Sequence, residues 1–156
     1  MNAPISDPEA RLAELGLSIP DVTAPLAAYV PAVRTGNLVY TAGQLPGVEG
    51  VMLATGKLGA EVSEAQGYDC ARQCALNALA AIKAEIGDLA TIKRVVKAVV
   101  FVASTPDFTA QPKVANGASE LLGAVFGEIG KHARSAVGVA SLPLDVPVEV
   151  ELIVEV

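Results

Sequence analysis

Hydrophobic spacing changes period several times along the chain, and those changes lay out the elements. From Ser63 onward Ala71, Cys74, Ala75, Ala78, Leu79 and Ile82 recur at helical spacing until Gly87, and Ser63 with Gln66 has the spacing of a capping box. A second helical stripe within 109–126 carries Leu121, Leu122, Val125 and Phe126 and stops at Gly127. Residues 7–16 predict a short N-terminal helix with Leu12 and Leu15 on one side. Between the helical stretches, "KRVVKAVVFVAS" reads as a central strand, and segments near 133–140 and 147–155 read as two more. Two β-rich runs flank Thr35-Gly36-Asn37, a hairpin signal. A proline-punctuated stretch over 18–31 and a loop marked by glycines 47, 50, 56 and 59 complete the outline; that loop is the expected site of mobility.

The order β-β-α-β-α-β-β, preceded by an extra helix, predicts a single α+β domain over residues 1–156, with residues 1–27 as an N-terminal extension. Its sheet is antiparallel or mixed, with helices on one face. In the last strand Val148, Val150, Leu152 and Val154 alternate with Glu149, Glu151, Ile153 and Glu155, so the first set suits the helices. In the strand before it Arg134, Ala136, Gly138 and Ala140 share one side, and Ser135, Val137 and Val139 the other. The second sheet face is then small and apolar with a few charges, which predicts association with further copies of the chain.

Composition narrows the function. The chain is 52% hydrophobic, yet no uninterrupted apolar run approaches the ~18 residues of a membrane span. The opening residues lack a basic segment followed by an apolar one, so no signal peptide is visible and a cytoplasmic protein is expected. A net charge of −6 without a basic stripe argues against nucleic acid as a partner. Cys70 and Cys74, four apart on one helix, have poor disulfide geometry and read as small buried residues. With one histidine no zinc-type ligand set is assembled, and without a nucleotide loop or a Ser-His-Asp arrangement no cofactor is expected.

Arg134 is the residue that demands explanation, because a guanidinium inside an Ala/Gly/Ser/Val strand is costly unless an anion meets it. Two partners fit: a protein carboxylate, with Glu149 or Glu151 nearest to hand, or the carboxylate of a ligand held by the planar fork. Glu149 and Glu151 on one strand face would repel, raising at least one pKa and suiting it to acid/base work with a water; the alternative is a solvated edge strand. Tyr29 could cap a cleft or simply pack, and His132 reads as a cap on the preceding helix or turn. Gly43, beside Thr41 and Gln44, suggests a close backbone approach.

The segments "AVRTGNLVYTAGQLP", "VVKAVVFVASTPDF", "ARSAVGVASLP" and "VEVELIVEV" resemble, in order and spacing, those of the YjgF/RidA family, also called the L-PSP endoribonuclease family. The resemblance spans about residues 28–156 and implies a chorismate-mutase-like fold of the bacillus type. It also implies a homotrimer with three clefts between subunits and hydrolysis of reactive enamines and imines to 2-oxo acids and ammonia. By the same resemblance Arg134 binds a substrate carboxylate and Glu149 is the catalytic cleft glutamate. Tyr29 matches the aromatic at the cleft mouth, Gly43 and Gln44 match the "SGQ" turn, and Ala136 takes a pocket position. The sequence departs from the family pattern at Ala42, Ala136 and Pro31, where Ser, Cys or Thr, and Gln are common. The segment from Phe108 to Arg134 is longer, leaving Asn116 as the candidate for the family's helix asparagine. The departures resemble a divergent branch. A non-catalytic trimer binding a small carboxylate metabolite and an endoribonuclease stand as alternatives, the latter opposed by the acidic balance.

Overall fold

The computed structural model describes residues 7–22, 24–25 and 27–156. The first six residues, on which the leader reading partly rests, and Thr23 and Leu26 of the proline-punctuated stretch lie outside these.

Helix α1 (Pro8–Glu14) starts where the Asp7 carboxylate accepts hydrogen bonds from the backbone N–H groups of Glu9 and Ala10. Leu12 is wholly buried, Arg11 Nε donates to the Ala124 carbonyl at 3.0 Å, and Lys83 Nζ meets Glu9 at 2.6 Å. These contacts dock α1 on the two long helices. Strands β1 (Ala32–Thr35) and β2 (Leu38–Thr41) form the expected hairpin about Gly36-Asn37. The glycine-marked loop is more ordered than its composition suggests. It contains a short ribbon, β3 (Gly47–Val48) with β4 (Val51–Met52), and Leu58 is fully buried between backbone hydrogen bonds to Ala103 and Thr105.

Helix α2 (Glu64–Ile86) has both halves of the Ser63–Gln66 capping box and ends at Gly87. Strand β5 (Arg94–Ala103) lies in the sheet interior, α3 (Gln111–Phe126) crosses back, and β6 (Ala133–Val139) lies parallel beside β5. The last strand, β7 (Val148–Glu155), inserts between β2 and β5, antiparallel to both. The sheet order β1-β2-β7-β5-β6 is therefore mixed, with β1 and β6 at its edges. The α+β class, the single helical layer and the extra N-terminal helix are as the sequence predicts.

Val39, Val95, Ala98, Val100, Val102, Val148, Val150, Leu152 and Val154 are all buried beneath α2 and α3. Cores built from small aliphatic residues require close helices. At Gly117 of α3, a Cβ would lie 2.0 Å from the Tyr68 carbonyl oxygen of α2, so the crossing tolerates nothing larger than hydrogen. Cys70 and Cys74 are buried free thiols in this layer, and burial pushes the Cys70 thiol up to about 11. No helix among the described residues is long and apolar enough to cross a membrane.

Candidate functional site

Register decides where the two charged candidates point. Arg134 pairs with Ala98, and Ala136 with Val100, whose own β7 partner is Val150; all of these neighbours are buried under the helices. Glu149 instead pairs with Phe101 and Glu151 with Val99, on the uncovered face. Paired residues of neighbouring strands share a face, so Arg134 lies on the helix side and both glutamates on the other. The sequence-level alternative that Glu149 or Glu151 neutralises Arg134 within the chain is therefore corrected: the sheet stands between them.

What meets Arg134 is neutral. Its Nη1 donates to Asn116 Oδ1 at 2.9 Å and to Ser119 Oγ at 3.2 Å, two acceptors one turn apart on α3. Among the described residues no carboxylate comes within ion-pair distance of it. Ser119 also lies 2.9 Å from His132 Nε2, and His132 Nδ1 lies 2.7 Å from the Gly130 carbonyl. His132 thus bridges the turn and α3, extending the capping role expected for it. A cavity of about 280 Å³ opens beside this group, lined by Ser119, Gly123, Gly130, Lys131, His132 and Arg134. The small residues that follow Arg134 on the same side of β6, Ala136 and Gly138, do not widen this cavity. Ala136 packs on the core cluster, and a Cβ on Gly138 would lie 2.9 Å from Gln111 Nε2.

The second group centres on Glu149. After Tyr40 pairs with Ile153, three residues, Thr41 to Gly43, oppose two on β7 before Gln44 pairs with Val150, which makes a bulge. Thr41 Oγ1 takes the hydrogen bond of the Leu152 N–H, and Gln44 Nε2 folds back onto the Ala42 carbonyl. The bulge carries the Gly43 backbone against the Glu149 side chain, so closely that a Cβ there would fall 1.9 Å from Oε1. The close approach read at Gly43 is therefore made to Glu149. Burial, and secondarily the charge of Glu151, raise the Glu149 carboxyl above its ordinary value.

Tyr29 makes no side-chain hydrogen bond to either group. It is 52% exposed and precedes β1, the edge strand opposite β6. Four strand spacings separate those edges, about 19 Å. One chain consequently unites Gly43, Gln44 and Glu149, and separately holds Arg134 with Asn116, Ser119 and His132. Ser119 escaped the sequence reading; the available signal was a polar pair, Asn116 and Ser119, at i, i+3 spacing on α3, which also carries Gln111, Lys113 and Glu120. Among the described residues no three His, Cys, Asp or Glu side chains converge as a metal ion would require.

Comparison with known proteins places this architecture. The family model described as "YjgF/chorismate_mutase-like, putative endoribonuclease" matches residues 9–156, beginning inside α1. Protein TCP17 of Trypanosoma cruzi is 48% identical over 94% of this chain and 92% of its own length. The 2-iminobutanoate/2-iminopropanoate deaminase of Escherichia coli K12 is 37% identical over 83% and 88%. A crystal structure of an Agrobacterium tumefaciens protein of unknown function superposes with a TM-score of 0.91 at 47% identity, covering 97% of this chain and 95% of that one. The chain belongs to the YjgF/RidA family, with its chorismate-mutase-like fold.

Proposed function

We propose that this protein hydrolyses 2-imino acids, and their enamine tautomers, to 2-oxo acids and ammonia at clefts between the subunits of a homotrimer. The observation that carries the reading is a guanidinium held by neutral acceptors, with its remaining donors unmatched by any carboxylate among the described residues. Desolvating such a cation favours an anionic ligand, and a planar fork suits a carboxylate. The relative named as a 2-iminobutanoate/2-iminopropanoate deaminase supplies the substrate class.

The opposite-face placement of Arg134 and Glu149 supports the assembly. Both stand on strands with the sheet between them, so one chain does not bring them together; the proposed trimer would do so by setting a neighbour's open face against the β6 edge. Arg134 of one subunit then fixes the substrate carboxylate, and Glu149 of the next holds a water beside the imine carbon. The water oxygen adds to C2 of the protonated imine while its proton passes to Glu149. The carboxyl returns that proton to the amino nitrogen; as the C2–N bond breaks, the C2 hydroxyl gives its own proton to the Glu149 carboxylate, leaving the 2-oxo acid and ammonia, and the departing ammonia carries that proton away as ammonium. A carboxyl raised above its ordinary value is matched to both directions of that transfer, a contribution of about 10²–10⁴-fold. Tyr29 and the Gly43-Gln44 backbone complete the cleft from the Glu149 side, and Ala136 lies next along β6 from the anchor.

The test generates 2-iminopropanoate with an amino-acid oxidase and follows pyruvate release. Accelerated release is expected, with Arg134→Ala and Glu149→Gln each losing about 100-fold or more. Mixing the two inactive variants after subunit exchange should restore activity at about a quarter of the sites, because a neighbouring pair can supply one intact arginine and one intact glutamate. No recovery on mixing would remove the shared cleft, and bound ligand recovered unchanged without turnover would favour a metabolite-binding trimer.

A further inference from the structure

Hydrogen-bond polarity around Arg134 is fixed at both ends. The guanidinium can only donate, so Ser119 Oγ accepts from Nη1. The Gly130 carbonyl can only accept, so the His132 Nδ1 at 2.7 Å carries a proton. The remaining bond, Ser119 Oγ to His132 Nε2 at 2.9 Å, then has one neutral solution in which every group is satisfied. The hydroxyl gives its single proton to an unprotonated Nε2. Turning the imidazole over would place carbons against both the carbonyl and the hydroxyl and lose both bonds.

We infer that Ser119 and His132 form a directional relay, from the Arg134 guanidinium through Oγ–H and Nε2 to the Gly130 carbonyl, that positions the arginine for its ligand, the neutral His132 ring carrying its proton on Nδ1. That tautomer is the one histidine disfavours in water, so the protein selects it. The relay's purpose follows from the site. Asn116 Oδ1 alone would leave the guanidinium free to rotate about that contact; Ser119 is the second point that fixes its plane, and His132 orients the serine hydroxyl so that a lone pair faces Nη1. His132 and Ser119 are therefore positioning residues, acting through Arg134. The tautomer and the fixing of the guanidinium do not depend on the reaction; the kinetic consequence rests on Arg134 binding the substrate carboxylate.

His132 is the only histidine in the 156 residues, so its ring nitrogens are read without assignment ambiguity. Long-range proton–nitrogen correlation spectra of the full-length protein are expected to show an unprotonated Nε2 and a protonated Nδ1; a protonated Nε2 in the neutral ring overturns the relay. Rotation about the Arg134 Cζ–Nη bonds is expected to be slow in the wild type and fast in Ser119→Ala. His132→Asn, which reaches only the Gly130 carbonyl, should free the guanidinium. His132→Gln, which can still present an acceptor to Ser119, should hold it. In pyruvate-release kinetics the same split should appear as a KM roughly five- to tenfold higher for Ser119→Ala and His132→Asn, with kcat little changed and His132→Gln close to wild type. Equal behaviour of the two His132 variants would reduce the histidine to a turn anchor and end the proposal. If no variant, including the wild type, turns over the imine, the deaminase reading fails, and the tautomer and guanidinium spectra still decide the relay.

Discussion

The two faces of the central sheet are made from the same strands and follow opposite rules. Under α2 and α3 every position of β7 is aliphatic and buried, from Val148 to Val154. One residue along, on the uncovered face, Glu149 and Glu151 stand among Val33, Tyr40 and Val137, which are 52%, 42% and 43% exposed. The covered face is complete in one chain, and its cost of change is a cost of folding. The open face has a carboxylate partly withdrawn from water and apolar side chains that are not, an arrangement suited to a second subunit. Arg134 comes from the covered side at the sheet's edge, where it reaches α3. The proposed pair, Arg134 and Glu149, is thereby divided between a face that folding fills and a face that the proposed assembly would fill.

Adjacent residues 152 and 153 separate the two rules most sharply. Leu152→Ala empties a site with no accessible surface and should cost about 2–5 kcal/mol. Ile153→Ala, on the open face, should change unfolding mainly through its dependence on protein concentration. Denaturant melts at two concentrations distinguish these outcomes. Similar, concentration-independent losses for both would make the faces equivalent and remove the reason for assembly.

A smaller effect is expected where the bulge meets the open face. Gly43→Ala places a methyl group on the Glu149 carboxylate and forces that side chain aside, a strain of about 1–3 kcal/mol. Adding Glu149→Ala should return most of the lost stability without returning activity, so the double-mutant cycle shows coupling. Additive losses in thermal melts would mean that Gly43 answers to something other than Glu149.

The elements were legible because their signals are local. The Ser63–Gln66 box, the stop at Gly87, the Gly36-Asn37 turn and the alternation of β7 all act within a few residues, and the structure keeps each. Alternation also divided β6 correctly into Arg134 with Ala136 and Ser135 with Val137. It could not say which of those sides faces the helices, because an edge strand of small residues has no strongly apolar side. Register with β5 settles that, and register is a long-range property. The same limit hid the space around Arg134. Ala136 and Gly138 are small because the core and Gln111 press on them, whereas the cavity lies on the other side, made by α3 and the 127–130 turn. Ser119 had only its i, i+3 spacing with Asn116 to mark it, and that spacing gains meaning once Arg134 is known to be its neighbour in space.

The smallest expected effect is a pH dependence of stability that belongs to the open face alone. The Glu149 carboxyl is raised above its ordinary value of 4.5, first by burial and then by Glu151, so the folded chain holds a proton that the unfolded chain has already released. Stability from this group therefore falls as pH rises from about 4.5 through the raised native value, and above that value the full penalty of burying the charge is present. Below the unfolded value both states are protonated and the penalty vanishes. Glu149→Gln should accordingly melt higher than wild type at pH 7 and converge with it near pH 4, while losing activity. Glu151→Gln should do the same more weakly, since its charge is the lesser cause. A Glu149→Gln difference in melting temperature that is constant across this range would show that the carboxylate carries no burial penalty, and that the open face is no different in kind from ordinary surface.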